Sequence, residues 1–133
     1  ATLQLRRVGF DRVAGFLEGG MLYWGSAGLP ISRVPVLCPE EVHTLVSSGG
    51  AVLVDVRSKE EWDAGLADAS VHIPWHDLRT RHTELDPALH YVLMCKGGQR
   101  ASIAASILKM HGFPNISNLA GGYVAYKRAG YAP

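Results

Sequence analysis

The sequence has few cysteines, no long apolar run and almost no net charge. Its 133 residues contain two cysteines, Cys38 and Cys95. They are too few for a disulfide-stapled secreted domain and too far apart for a zinc cluster built from cysteine, so a reducing, cytoplasmic setting is predicted. The longest apolar runs, such as residues 51–54, are far shorter than the roughly 20 residues that cross a bilayer. The first residues also lack the apolar core of a signal peptide.

Charge and histidine content exclude several further classes of site. Thirteen Lys and Arg residues face twelve Asp and Glu residues, which leaves a net charge of +1. This balance gives no field for binding nucleic acid or an anionic membrane surface. The six histidines are scattered, and Pro74 separates His72 from His76, so no metal site is predicted. No motif indicates a nucleotide cofactor.

Length and composition predict one globular domain, yet the chain repeats part of its own ending. Hydrophobic residues make up 47% and the mean hydropathy is +0.06. The motifs Gly9-Phe10 and Leu17-Glu18-Gly19-Gly20 return in the same order as Gly112-Phe113 and Leu119-Ala120-Gly121-Gly122. We therefore interpret residues 1–33 as the end of an upstream sister domain plus a linker, and residues 34–133 as a complete domain.

The first segment carries apolar residues that its own domain would normally cover. We expect residues 1–33 to dock on the second domain or to exchange with a neighbouring chain, which would give a dimer. The apolar residues concerned are Phe10, Phe16, Leu17, Met21, Leu22 and Trp24. The sequence does not begin with Met, so we expect it to be part of a longer protein.

Helix and strand patterns alternate along residues 34–133. Strands are predicted at 51–54, 90–94 and 115–117, and helices at 39–48, 60–64, 75–81 and 99–111, with a last helix containing Val124 and Tyr126. This alternation predicts an α/β domain with a parallel sheet covered by helices.

The chemistry is expected where strand 90–94 leads into helix 99–111. Ligands bind at the carboxyl ends of parallel strands, and the two glycines of the connecting loop allow successive amides to converge on an anion. A helix N-terminus and nearby cations favour the nucleophilic thiolate form of a cysteine. Cys95 is therefore the candidate nucleophile, although a buried cysteine beside an ordinary turn would show some of the same features. The loop consists of Cys95, Lys96, Gly97, Gly98, Gln99 and Arg100.

Three motifs in order resemble the signatures of rhodanese domains. The first is Leu53-Val54-Asp55-Val56-Arg57 with Glu61-Trp62 and His72-Ile73-Pro74, the second is the loop 95–100, and the third is Asn118-Leu119-Ala120-Gly121-Gly122. The resemblance covers about residues 34–133 and implies a rhodanese-like parallel sheet flanked by helices on both faces. The segment from Leu17 to Trp24 resembles the third signature of a preceding rhodanese domain.

The resemblance implies a sulfurtransferase. In that family the loop cysteine takes a sulfane sulfur from a donor such as thiosulfate, becomes a persulfide and passes the sulfur to cyanide or a thiol. By position, Cys95 would form the persulfide and the amides of residues 96–100 would surround it, while Lys96 and Arg100 could bind an oxyanionic donor. Asp55 and Arg57 are expected to brace the sheet end by hydrogen bonds rather than to contact the substrate.

Two alternatives stay open. Phosphatases with this fold place the arginine six positions after the cysteine, whereas Arg100 follows Cys95 by five, so sulfur transfer is favoured over phosphate ester hydrolysis. Proteins that fuse a metallo-β-lactamase-like hydrolase to rhodanese domains are similar in organisation. In such a parent protein this domain could be a binding or regulatory module without catalysis.

The chain also departs from the family pattern. The usual Gly-His-Ile-Pro-Gly-Ala stretch is Gly65-Leu66-Ala67-Asp68-Ala69-Ser70, and Tyr126 stands in place of the closing Trp. These changes concern packing and substrate access rather than the nucleophile. Cys38 precedes Pro39 at a predicted helix start, so a capping position is favoured over a role as a resolving thiol.

Overall fold

The chain divides between Arg33 and Val34 into two units, and each is described by itself. The structure, a computed structural model, describes residues 6–7 and 12–133. The predicted repeat motif Gly9-Phe10 lies outside the described residues. The origin of residues 1–33 in a sister domain stays a prediction.

The first unit contains a helix α1, Gly20–Ser26, that begins at two left-handed glycines. Gly19 has a φ of 67° and Gly20 a φ of 60°. The Trp24 indole N–H donates to the Pro30 carbonyl at 2.9 Å, which ties the following turn back onto the helix. No residue of α1 is buried, and Phe16 is 87% exposed.

The second unit is built on a sheet of five parallel strands in the order β1-β5-β4-β2-β3. The strands are β1 (Val36–Leu37), β2 (Val52–Asp55), β3 (Val71–His72), β4 (Tyr91–Met94) and β5 (Ile116–Leu119). β4 is buried along its whole length, as expected for a continuous apolar strand that is covered on both faces. The predicted α/β architecture is therefore confirmed.

Helices lie between these strands and after the last of them, and two of the helices start at capping boxes. They are α2 (Pro39–Ser47), α3 (Lys59–Asp63), α4 (Leu78–Arg81), α5 (Gln99–Met110) and α6 (Gly122–Arg128), with a short 3₁₀ turn at His82–Glu84. Cys38 caps α2, where its backbone N–H donates to the Glu41 carboxylate at 2.8 Å and proline occupies the first helical position. Ser58 and Glu61 form the same reciprocal arrangement at the start of α3.

Alternation along the strands gives the sheet two apolar layers. Leu53 and Val92 pack on the face that also buries Val42 of α2 and Tyr126 of α6. Val54 and Leu93 point to the opposite face and pack with α4 and α5, through residues such as Leu78, Ala104 and Leu108. Helices thus cover both faces of the sheet. The carboxyl ends of the neighbouring strands β2 and β4 lie side by side at the same end of the sheet.

The prediction of a helix at residues 75–81 was wrong in its first half. The Trp75 N–H donates to the Val56 carbonyl at 3.1 Å, so Trp75 continues the pairing between the segments that follow β3 and β2 instead of starting a helix. Asp77 closes a turn on Pro74, and α4 begins only at Leu78. The last strand also runs to Leu119 rather than ending at residue 117, because Asn118 and Ala120 donate to carbonyls of the β1 segment.

Within residues 6–7 and 12–133, no helix combines the length and the apolar composition needed to cross a lipid bilayer.

Candidate active site

Cys95 stands at the carboxyl end of β4, where its loop opens onto a surface cavity. The residue is only 1% exposed, and the Gly98 N–H donates to its Sγ at 3.0 Å. The cavity measures about 420 Å³ and is lined by loop residues only: Cys95, Lys96, Gly97, Gln99 and Arg100. The structure therefore brings the predicted loop residues together around the sulfur.

Gly98 forms the junction between the loop and α5. Its φ of 111° lies in a region that residues with a side chain rarely adopt, and it is the N-cap of the twelve-residue helix. Its carbonyl accepts hydrogen bonds from both the N–H and the hydroxyl of Ser102, each at 3.2 Å. The Asn118 side-chain amide donates in turn to that hydroxyl at 3.2 Å. Strand β5 thereby supports the residue whose N–H contacts the Cys95 Sγ.

The start of α6 fixes the other side of the loop. The N–H groups of Tyr123 and Val124 donate to the carbonyls of Cys95 and Lys96, at 2.7 and 3.3 Å. Because a trans peptide points its N–H opposite to its carbonyl, the Lys96 and Gly97 amides face away from α6. This leaves them available to an anion in the cavity. No sequence pattern predicted this support; glycine at position 122, the first residue of α6, is the feature that permits the close backbone approach.

Arg57 is buried and all of its described polar contacts lie within the protein. Its guanidinium forms a salt bridge with Asp55 at 2.6 Å and donates to the Gly65 carbonyl at 2.8 Å. It also lies 3.8 Å from the centre of the Tyr123 ring. The side chain thus joins the end of β2, the Gly65 turn and the start of α6.

Arg100 forms an ion pair with Glu61 that the sequence did not predict. The guanidinium donates to both carboxylate oxygens, at 2.5 and 2.9 Å, and each side chain is 30% exposed. The hydrogen bonds from Arg100 lower the pKa of Glu61 to about 2. Arg100 is consequently not a free cation in the cavity, and its availability to an oxyanion depends on this carboxylate. The two residues lie 39 positions apart in the sequence, so no local pattern predicts their pairing.

Lys96 differs from both arginines. It is exposed, and no ion-pair partner for its ammonium lies within the part of the chain that the structure describes. Gln99 is exposed as well, on the first turn of α5. Lys96 is therefore the loop cation best placed to meet an incoming anion.

Cys38 occupies a different setting from Cys95. It is exposed at the end of β1, two strands away from β4 in the sheet. The backbone N–H of Glu41 favours its thiolate, but the carboxylates of Glu40 and Glu41 outweigh that contact and raise the pKa of the Cys38 thiol above its ordinary value. Among the described residues, His, Cys, Asp and Glu side chains nowhere form a group of three that could bind a metal ion.

The fold and the site together define a class: parallel α/β domains that present a cysteine on a short loop before a helix. The family model of the rhodanese-like domain matches residues 39–129. The chain belongs to the rhodanese-like domain family. At the level of that family, the function is related to sulfur chemistry.

Two curated relatives and one solved structure show the range of this family. The chain is 30% identical over 112 residues to human thiosulfate:glutathione sulfurtransferase, covering 73% of this chain and 92% of the relative. It is 29% identical over 98 residues to the tRNA uridine(34) hydroxylase of Buchnera aphidicola subsp. Baizongia pistaciae, covering 69% of this chain but only 31% of that longer protein. A rhodanese-related protein from Thermoplasma volcanium superposes with a TM-score of 0.68 at 24% identity, over 74% of this chain and 97% of that one, which shows the shared fold.

Proposed function

We propose that this protein is a sulfurtransferase that carries sulfane sulfur as a persulfide on Cys95, from a donor such as thiosulfate to a thiol or to cyanide. The observation that carries the proposal is the Gly98 N–H at 3.0 Å from the Cys95 Sγ, at the N-cap of α5 and beside an open cavity. An amide at this position stabilises negative charge on sulfur both before and after the transfer. The sulfurtransferase relative supports the same reaction class.

The reaction would proceed by double displacement. The Cys95 thiolate attacks the outer sulfur of thiosulfate, the sulfur–sulfur bond of the donor breaks, and sulfite leaves with the electron pair. An acceptor thiolate or cyanide then attacks the outer sulfur of the persulfide, and the electron pair of the breaking bond returns to Cys95. The enzyme undergoes no net oxidation, so the residues present are sufficient for the cycle.

The loop residues would divide the work of binding the donor. The amides from Lys96 to Arg100 are proposed to bind the donor and the persulfide, and the Lys96 ammonium to attract the anion. Arg100 would contribute to donor binding through its position in the loop and its ion pair with Glu61, rather than as an unpaired cation. Asp55 and Arg57 are proposed to stabilise the end of β2 beside the site through their salt bridge.

Replacing Cys95 with Ser tests this function directly. Incubation with thiosulfate should add one sulfur atom to the wild-type protein, seen by intact-protein mass spectrometry, and the Cys95→Ser protein should stay unmodified and fail to convert cyanide to thiocyanate. Cys38→Ser is the matched control, since it removes the other thiol, and it should behave as wild type. An unmodified wild-type protein would instead favour a binding or regulatory module, and turnover of an aryl phosphate dependent on Cys95 would favour a phosphatase.

We further propose that residues 1–33 are the end of an upstream rhodanese-like domain. Support comes from the backbone at Gly19-Gly20 and Gly121-Gly122, where φ is 67° and 60° in the first pair and 68° and 60° in the second. In this proposal the parent protein joins rhodanese-like domains to a metallo-β-lactamase-like hydrolase, and residues 1–33 dock within it or mediate a dimer. The coding sequence upstream of Ala1 tests this organisation, and the lack of a rhodanese-like domain there would refute it.

We place the reaction in the cytoplasm. Both cysteines are free thiols, and the cycle requires a reduced Cys95 at its start.

A further inference from the structure

A second cavity adjoins the Cys95 pocket. It measures about 330 Å³ and lies between the Gly65 turn and the outer side of α6. Lys96 lines this cavity as well as the Cys95 pocket, so the two are neighbours across one side chain. We call this second cavity the side groove; the residues used below are Arg57, Glu61, Lys96, Tyr123 and Lys127.

The side groove has an excess of positive charge. Arg57 is neutralised by Asp55, and Glu61 by Arg100. Lys96 and Lys127 are both exposed, and no ion-pair partner for either lies within residues 6–7 and 12–133. Two uncompensated ammonium groups thus line a concave surface that adjoins the Cys95 pocket at Lys96.

The wall of the side groove is fixed in place. The Tyr123 ring has the Arg57 guanidinium 3.8 Å from its centre, and that guanidinium donates to the Gly65 carbonyl at 2.8 Å. The Tyr123 N–H is itself bonded to the Cys95 carbonyl at 2.7 Å. The Tyr123 ring is therefore fixed relative to the loop, so a molecule that lay against it would have a defined position relative to Cys95.

We propose that the side groove is the subsite for the sulfur acceptor and that it takes a small thiol bearing a carboxylate. The carboxylate would lie between Lys96 and Lys127, with the thiol directed past Lys96 to the persulfide. This inference rests on the proposed function and specifies its acceptor. In the transfer, the acceptor thiol loses its proton to solvent and its sulfur bonds to the outer sulfur of the persulfide. The bond between that sulfur and Cys95 Sγ breaks, and Cys95 regains its thiolate.

The test compares two charge-removing variants on the same helix. Lys127→Gln removes a charge from the side groove, and Arg128→Gln removes a charge from the next position, which does not line it. Each protein is loaded with thiosulfate, desalted at low ionic strength and mixed with 3-mercaptopropionate or with neutral 2-mercaptoethanol. Loss of the extra sulfur is followed by mass spectrometry.

We expect Lys127→Gln to slow transfer to 3-mercaptopropionate by about three- to fivefold, the upper part of the range that exposed charge pairs support. Transfer to 2-mercaptoethanol should stay within about 1.5-fold of wild type, since it has no charge to lose. Arg128→Gln should match wild type with both thiols. The subsite alone would be refuted if the loaded Lys127→Gln and Arg128→Gln proteins transferred sulfur at the same rate, or if Lys127→Gln slowed transfer to the two thiols equally. Failure of the wild-type protein to load would overturn the proposed function and the subsite with it.

Discussion

The helices α1 and α6 have the same local structure but very different surroundings. Each has seven residues and begins at the second glycine of a left-handed pair, and each has an alanine C-cap followed by another left-handed glycine. The φ values of the paired glycines agree within one degree. The repeated sequence therefore produces the same backbone twice.

The two helices differ in the atoms that surround the second glycine of the pair, which is Gly20 in α1 and Gly122 in α6. A Cβ at Gly122 would overlap the Cys95 carbonyl oxygen and stand 2.7 Å from that of Lys96, whereas a Cβ at Gly20 would meet no described atom within 4 Å. Conformation at such a pair is set locally, because only glycine adopts it without strain. Support of the reactive loop is a tertiary property, and among the described residues only α6 makes these loop contacts.

Gly122→Ala should have the largest effect of the changes considered. Its methyl group would force α6 away from the loop carbonyls and break the hydrogen bonds from Tyr123 and Val124. We expect a loss of about 3 kcal/mol or more in the free energy of unfolding, from overpacking together with left-handed strain. Sulfur transfer should fall by about 100-fold because the loop amides lose their orientation. Urea unfolding and thiosulfate loading measure the two effects separately.

Gly20→Ala is the control for that experiment. It imposes the same left-handed strain at the same φ of 60° without a backbone clash. Loading of Cys95 should therefore remain within about twofold of wild type, with any loss of order confined to α1. Equal losses of loading in the two variants would show that strain, rather than contact with the loop, explains the requirement for glycine at Gly122.

Ala69 is the exception to the use of glycine at left-handed positions. In the described part of the chain it is the one non-glycine residue with a positive φ, at 59°. It stands where the family pattern has glycine, and its methyl group costs about 1–2 kcal/mol in this conformation. Ala69→Gly should raise the free energy of unfolding by about 1 kcal/mol, since relief of strain is partly offset by the greater flexibility of the unfolded chain. Thermal unfolding measures the gain; an unchanged or lower melting temperature would contradict it.

The order of the site's elements along the chain was predictable from the sequence. The contacts between residues that lie far apart in the sequence were not. Apolar runs and glycine stops predicted β4 and α5, so the position of Cys95 between them followed from residues that are adjacent in sequence. The contacts of Glu61 with Arg100, and of Tyr123 with Cys95, join positions that only the sheet order brings together. Arg100 illustrates this limit. Its positive charge could be read from the sequence, but its ion pair with the Glu61 carboxylate could not.

Glu61→Gln tests the second support of the loop and should have the smallest effect on stability. Glutamine keeps the capping hydrogen bond to Ser58 but removes the charge that pairs with Arg100. Because each side chain is 30% exposed, we expect a loss of only about 0.5–1 kcal/mol at neutral pH.

The loss should depend on pH in a defined direction. Arg100 lowers the pKa of Glu61 from 4.5 in the unfolded chain to about 2 in the folded protein. The contribution is therefore fully present well above pH 4.5 and is lost as the pH falls through about 2. Urea titrations across this range should show the wild-type and Glu61→Gln proteins converging in acid. Glu84→Gln is the matched control, since it breaks a more exposed pair with Arg81 and should change stability less. A gap between wild type and Glu61→Gln that persisted undiminished below pH 2 would mean that Glu61 stabilises the loop by packing rather than by charge.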